Sequence, residues 1–347
     1  MKKPIITIST DWHLNYSNTE QIKYLITQQC ELTKSLGLTS TICLGDIFDK
    51  RAGQKIEELC SIDEILDIFT EYKIELYAIP GNHDKQNYDS PKSFLQPYKH
   101  HPNFHYIDLC YGLPIDGIMF HLLPFFKEDV WLKKLHELID YIEDFSDKKH
   151  ILLSHQALNG SKNNDGTNVA NNISVSEFIK FDKVLLGHYH NQQQVGTNIY
   201  HIPAIRQKDF GEDNQKGFIV VYNDGSFELV KSKFIEFEVV QIDFDKISKK
   251  DYLALQKQYS NSDKNIRFEF YGSTENVKAI NKDELVVLGI DAKIKIKGVE
   301  ESITEYKEEV IIYNKDNIID KFISFCKEKE IDQADGIIYL KEKLNGK

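Results

Sequence analysis

Residues 78–86 read AIPGNHDKQ, and this stretch decides how the rest of the chain is read. An apolar run, Leu76 to Pro80, stops at Gly81 and is followed at once by Asn82, His83 and Asp84. Alone, this is a polar turn, because glycine and asparagine are common turn residues. The same ending recurs, however. The run 5–9 leads into Asp11-Trp12-His13 and the run 40–44 into Gly45-Asp46. The run 150–154 leads into His155, and 183–186 leads into Gly187-His188-Tyr189-His190. Each run is short, bounded by turn residues and rich in β-formers, so each reads as a strand. In α/β sheets the carboxyl ends of strands are where ligand sites gather.

The strands alternate with amphipathic stretches. Helices are expected over 19–36, closed by Gly37, over 56–72, and near 129–145. Further strands are expected at 117–123, 199–202 and 217–222, and 161–172 is a polar loop. Alternation of this kind predicts an α/β fold with parallel pairing in at least one sheet. After Asn223-Asp224-Gly225, a hairpin-type turn, the character changes. Strands near 237–242, 266–271 and 292–296 surround helical stretches, which suggests a small separate α+β domain. Near the C-terminus, Ile318, Ile319, Phe322, Ile323 and Phe325 fall close to helical spacing, and a second short helix is expected at GIIYLKEKL.

The composition is that of a globular protein, 41% hydrophobic and 28% charged, with a formal net charge of −11. No apolar run is long enough to span a membrane, and the start lacks the core and cleavage site of a signal peptide. The five cysteines, Cys30, Cys43, Cys60, Cys110 and Cys326, are widely spaced with no C-x-x-C pair. They read as reduced thiols of a cytoplasmic protein, and they exclude a thiolate zinc site. The collected donors are hard oxygens and imidazoles, a mixture that suits Mn²⁺, Fe²⁺ or Zn²⁺ rather than an all-oxygen Ca²⁺ cage.

The ordered set D-x-H, G-D, G-N-H-D, H and G-H-x-H resembles the signature of the calcineurin-like metallophosphoesterases. Three longer stretches are similar to the SbcD-type DNA double-strand-break repair nucleases, and closest to phage recombination endonuclease subunits: GDIFDKR (45–51), SHQALNG (154–160) and IPAIRQKDFGEDNQKGF (202–218). Ala204-Ile205 departs from the Gly-Ser or Gly-Thr pair that relatives often carry there. The likeness covers roughly residues 5–230. It implies a four-layer α/β/β/α sandwich over 1–232, a small α+β capping domain over 233–305, and a C-terminal helical segment, 306–347, that binds an SbcC-type SMC-like ATPase.

Carried over position by position, the resemblance implies two divalent cations, Mn²⁺ first among them. Asp11, His13, Asp46 and His190 would hold one; Asp46, Asn82, His155 and His188 would hold the other. Asp46 would bridge, and a shared carboxylate offsets the repulsion between cations about 3.5–4 Å apart. His83 would act on the leaving oxygen. Asp49 stands where related phosphatases place a carboxylate that orients this histidine, and Asp84 is the alternative orienter. Trp12 is expected to pack and fix the rotamers on either side. His100, His101, His105, His121, His136, His150 and His201 are expected to have no site role.

The function implied is a Mn²⁺-dependent nuclease, a 3′–5′ exonuclease on duplex ends and an endonuclease on single strands or hairpins, working as a homodimer without a membrane. A phosphomonoesterase or cyclic-nucleotide phosphodiesterase, and a DNA-end-binding scaffold, are the competing readings. Net negative charge opposes DNA binding. The cations themselves and a patch drawn from Lys50, Arg51, Lys85, Lys92, Lys99, Lys162, Arg206 and Lys208 would have to offset it.

Overall fold

The structure is a computed structural model that describes residues 2–143, 148–163, 166–260 and 262–296. The expected C-terminal helices, with Cys326 and the Ile318–Phe325 stripe, lie outside the described residues. Among the described residues, those within 2–242, 247–270 and 281–293 fall in one compact unit, and those within 243–246, 271–280 and 294–296 in another.

The chain begins with β1 (Pro4–Ser9), α1 (Thr19–Ser35), β2 (Ser40–Cys43), α2 (Ile56–Tyr72), β3 (Glu75–Ala78) and β4 (Phe104–Tyr106). It continues with β5 (Tyr111–Ile115), β6 (Ile118–Leu123), α3 (Glu128–Glu143), β7 (Lys149–His155), β8 (Lys183–Gly187), β9 (Gln193–Gln194) and β10 (Ile199–His201). It then returns to the first sheet through β11 (Gly217–Tyr222) and β12 (Phe227–Lys231). One six-stranded sheet has the order β12-β11-β1-β2-β3-β4 and the other β5-β6-β7-β8-β10-β9. In each sheet a run of neighbouring strands, β1-β2-β3-β4 and β6-β7-β8-β10, is parallel. Their carboxyl ends therefore share one edge of each sheet.

Three apolar clusters account for the layering. Leu25, Ile26 and Cys30 of α1 and Leu66 and Phe69 of α2 pack with Cys43, Leu76 and Ala78 on the outer face of the first sheet. Ile6, Ile8 and Ile42 meet Phe120, Leu122, Ile151 and Leu153 between the sheets. Leu135 and Leu138 of α3 pack with Leu152, Val184 and Leu186 on the outer face of the second sheet. Helices, sheet, sheet and helix are the four expected layers. Successive residues of a strand point to opposite faces, so β7 sends Ile151 and Leu153 to the inter-sheet core and Leu152 toward α3.

The helix ends follow local rules. α1 stops where Leu36 leads into Gly37, at φ 73°, a left-handed position that costs glycine little. The backbone N–H of Lys55 donates to Glu58 Oε2 at 2.8 Å at the start of α2. β4, β5, β9 and β12 add to the strands that the apolar runs signal. These are edge or near-edge strands. β5 carries Gly112 and Pro114 and is largely exposed, so it has no apolar run to read.

The last elements are β13 (Phe237–Asp243), α4 (Lys249–Tyr259), β14 (Asn265–Gly272), α5 (Thr274–Val277), α6 (Lys282–Val287) and β15 (Ile290–Ile296). The three strands pair in the order β13-β14-β15. No described helix is long and apolar enough to cross a membrane.

Phe120 is fully buried between the two sheets. Phe120→Ala should lower the unfolding free energy by about 3–5 kcal/mol, read from urea unfolding. A loss below about 1 kcal/mol, the size of an ordinary surface change, would mean that the two sheets do not share that core.

Candidate metal centre

The expected site residues sit at the tips of β1, β2, β3, β7 and β8, or within a few residues beyond them. The turns that carry them are tight. Asp11, His13, Asp46 and His188 all have positive φ, at 53°, 49°, 52° and 91°. Non-glycine residues rarely adopt this region, and local backbone strain of this kind clusters at functional sites. Neighbouring hydrogen bonds hold these turns in place. Asp11 N–H donates to the Gly45 carbonyl at 2.9 Å and His13 N–H to the Asp46 carbonyl at 3.0 Å. The tips also press together. A Cβ on Gly81 would lie 2.2 Å from Asp46 Oδ1, and one on Gly45 would lie 2.3 Å from Gly81 N. Only glycines allow the two loops to approach this closely.

Asp11, His13 and His190 form a first buried cluster, and Asp46, His155 and His188 a second. His13 Nε2 and His190 Nε2 are 2.9 Å apart. Asp11 Oδ1 lies 3.7 Å from the former and 3.8 Å from the latter. In the second cluster, His155 Nε2 is 3.3 Å from Asp46 Oδ2 and 3.1 Å from Asn82 Oδ1. His188 Nδ1 is 2.9 Å from that same amide oxygen. Asp46 Oδ2 also stands 3.9 Å from His13 Nε2. This one carboxylate therefore touches both clusters.

The outer nitrogens settle the tautomers. His155 Nδ1 meets the Leu44 carbonyl at 2.8 Å, and His190 Nδ1 meets the Glu212 carboxylate at 2.5 Å. In the neutral ring each outer nitrogen therefore carries the proton, and the inward nitrogen presents a lone pair. Lone pairs of imidazole, amide and carboxylate thus point at one another, while Asp11 Oδ1, fully buried, has no hydrogen-bond donor. Such a constellation needs positive charge between its members. A divalent cation at each cluster fits that need and fits the nitrogen-and-oxygen donor set.

Without an ion, protons supply part of that positive charge. Burial alone would lower the His155 imidazolium, but the Asp46 carboxylate overrides it and lifts it to about 9. Burial would raise the Asp46 carboxyl, yet the charge of His155 holds it well below the usual range. Burial likewise opposes, and the surrounding imidazoles, His13 first and then His155 and His190, outweigh it in holding Asp11 low. His188, by contrast, is pushed down to about 3 by burial and then by His155.

His83 stands at the edge of the centre, its Nε2 3.9 Å from Asp46 Oδ2. Its Nδ1 meets the backbone carbonyl of Asp49 at 2.5 Å, and its backbone N–H donates to Asp46 Oδ1 at 2.8 Å. Burial lowers it to about 4. The Asp49 side chain faces elsewhere: Oδ1 is 3.5 Å from His13 Nδ1 and 2.6 Å from Lys208 Nζ. Asp84 turns inward, accepting the N–H groups of Phe48 at 2.9 Å and Gly81 at 2.8 Å, and so ties the β2 and β3 loops together. Trp12 is fully buried, stacked on Phe69, with its N–H on Ser9 Oγ at 3.0 Å. Of the histidines expected to have no site role, His201 sits beneath the centre, its Nδ1 on the Gly187 carbonyl at 3.0 Å. Glu212 was not legible in the sequence. It lies 22 residues from His190 in a charged loop, and only its burial against the ring singles it out.

A cavity of about 420 Å³ opens over the clusters, lined among others by His13, Asp46, Asn82, His83, Arg51 and Lys208. Of the basic residues named from the sequence, Arg51 and Lys208 thus reach the site. Lys85 does not. It is fully buried, with its ammonium on the carbonyls of Phe125 at 2.5 Å and Ser90 at 3.1 Å.

Gly81→Ala should fold, because the clash falls on one loop. It should also displace Asp46 and lower bound divalent metal at both clusters, measured by metal analysis of the purified protein. Unchanged metal content would show that the Gly81 contact does not set the position of Asp46.

The sequence profile of the family described as Calcineurin-like phosphoesterase matches residues 5–192. A protein of Invertebrate iridescent virus 6 bearing the phosphoesterase designation 244L is 25% identical over 221 residues, 60% of this chain and 74% of that one. Exonuclease subunit 1 of Enterobacteria phage T4 is 27% identical over 217 residues, 60% of this chain and 61% of that one. The SbcD component of the nuclease SbcCD of Staphylococcus saprophyticus is 24% identical over 241 residues, 61% of this chain and 64% of that one. The chain thus matches less than two thirds of the length of either nuclease. With its profile match spanning β1 to the G-H-x-H loop, the chain belongs to the calcineurin-like phosphoesterase family.

Proposed function

We propose that this phosphoester hydrolase is a Mn²⁺-dependent DNA nuclease, acting 3′–5′ on duplex ends and endonucleolytically on single strands or hairpins. The observation that carries it is the pair of donor clusters joined by Asp46 beneath a cavity whose wall includes Arg51 and Lys208. The names of the phage T4 and staphylococcal relatives support DNA as the substrate.

In this reading Asp11, His13, Asp46 and His190 hold one cation, and Asp46, Asn82, His155 and His188 the other. When bound, the pair supplies an activated water near neutral pH and neutralises charge on the phosphoryl oxygens. The protein residues do the rest. Asp46 sets the spacing of the two positions. His83 exchanges its proton at Nε2, since Nδ1 is held by the Asp49 carbonyl. Burial makes its imidazolium a strong acid. A phosphodiester anion entering the cavity beside it favours the charged form, which then delivers its proton to the leaving oxygen. Asp49 acts on His13 and Lys208 through its carboxylate and on His83 through its carbonyl. Arg51 lines the cavity beside Asn82 and His83. From there a guanidinium can take two oxygens of a neighbouring phosphate, which also offsets the net charge of −11.

The remaining expectations belong to the same proposal: a cap over 233–305, an ATPase-binding segment over 306–347, and a homodimer in the cytoplasm. All four described cysteines are free thiols, as a reducing compartment permits.

The test pairs two substrates. Labelled duplex DNA with a free end should be degraded with Mn²⁺ and spared in EDTA, and p-nitrophenyl phosphate should be a poor substrate. Efficient hydrolysis of the monoester with intact DNA would turn the assignment to a phosphomonoesterase. His83→Ala should keep two bound metal ions and lose about 10²–10⁴-fold in kcat on DNA. Loss of a metal ion instead would make His83, which also neighbours His13 and Asp46, a ligand.

A further inference from the structure

Behind the first cluster the chain places a second kind of structure, built from the segment Arg206–Lys216. Glu212 is the centre of it. Its side chain is closed to solvent, and each of its oxygens has a different task. Oε1 meets His190 Nδ1 at 2.5 Å. Oε2 accepts the backbone N–H of Lys208 at 3.2 Å and pairs with Lys216 Nζ at 3.3 Å. Lys216, also with no exposed side-chain surface, donates from the same ammonium to the His190 carbonyl at 2.7 Å and to Asn191 Oδ1 at 2.6 Å. One lysine thus grips both the backbone of His190 and the carboxylate that holds its ring.

The other histidine of that cluster also has a carboxylate behind it, at the longer distance of 3.5 Å. His13 Nδ1 faces the Asp49 carboxylate, which Lys208 of the same segment holds at 2.6 Å. The second cluster is supported differently. His155 has a neutral backbone carbonyl, that of Leu44, behind its outer nitrogen. The His188 ring lies between aromatic groups, parallel to Phe125 with centroids 6.4 Å apart and edge-on to Tyr189 at 4.8 Å. A carboxylate behind a ligating imidazole fixes its orientation and tautomer and raises its basicity. Hydrogen bonds to an ionised acceptor are the stronger kind. The two positions therefore differ in how firmly their imidazoles are set before any ion arrives.

We propose that the Glu212–Lys216 pair makes the two ion positions unequal: by presetting His190 it makes the Asp11–His13–His190 position the tighter one, and leaves the Asn82–His155–His188 position the weaker, exchangeable one. This rests on the two-cation reading above. Glu212 touches neither substrate nor ion in this scheme and is a positioning residue.

The test is a Mn²⁺ titration of the metal-stripped full chain, with free Mn²⁺ counted by its solution EPR signal, so that no activity is needed. The wild type should bind two ions in two affinity classes. Glu212→Ala should weaken the tighter class by about 10–100-fold and leave the weaker class where it was. Glu212→Gln, which keeps an acceptor for His190 Nδ1 without the charge, should lose less in the same direction, and it carries the test if the alanine variant fails to fold. A merely structural role would lower thermal stability in EDTA and shift both classes alike. Two equal classes in the wild type, or a variant that weakens both classes or only the weaker one, would overturn the inequality while leaving two cations. A wild type that binds fewer than two ions would overturn the two-cation reading and the inequality with it.

Discussion

Two buried carboxylates, Asp11 and Asp46, set the terms for everything around them. A buried anion without a counter-charge is expensive, and here the anions stand among imidazole nitrogens whose inward faces, in the neutral rings, carry lone pairs. That arrangement is stable only with positive charge at its centre. The fold is organised to maintain it. Parallel strands in two packed sheets bring their carboxyl ends to one place. Glycines at 45 and 81 let the loops approach to distances that a Cβ would forbid. Positive-φ turns at Asp11, His13, Asp46 and His188 aim the side chains inward. The three apolar clusters are what hold that strained rim in position.

Much of this was legible in the sequence because the signal was local and repeated. A polar donor directly after an apolar run needs no knowledge of the fold to be noticed, and five such endings in order are informative together. Strands buried on both faces were readable for the same reason. The edge strands were not. β5, with Gly112 and Pro114, and β12, half exposed, lack the continuous apolar run that marks a buried strand. The groups behind the ligand candidates were also hidden. Whether Asp49 turns its carboxylate or its carbonyl toward His83 depends on φ and χ angles. Likewise, nothing in the string RQKDFGEDNQK says that its glutamate is buried on a histidine 22 residues earlier.

The same distinction bears on specificity. The hydrolytic centre is common to a large family, and its donors say little about what is cut. What belongs more closely to this chain is the wall of the cavity, where Arg51 and Lys208 sit over an otherwise acidic centre. Lys208 is engaged with Asp49, whereas Arg51 lines the cavity beside Asn82 and His83. In the proposed nuclease reading, a cation so placed meets a phosphate next to the one being cut. In a protein of net charge −11, such local positive charge has to come from a few residues and the bound ions rather than from the whole surface.

Anomalous diffraction from crystals soaked in Mn²⁺ tests the shared-carboxylate centre most directly. Two peaks on either side of Asp46 are expected, about 3.5–4 Å apart, one against Asp11, His13 and His190 and one against Asn82, His155 and His188. A single peak, or peaks that do not touch Asp46, would contradict it.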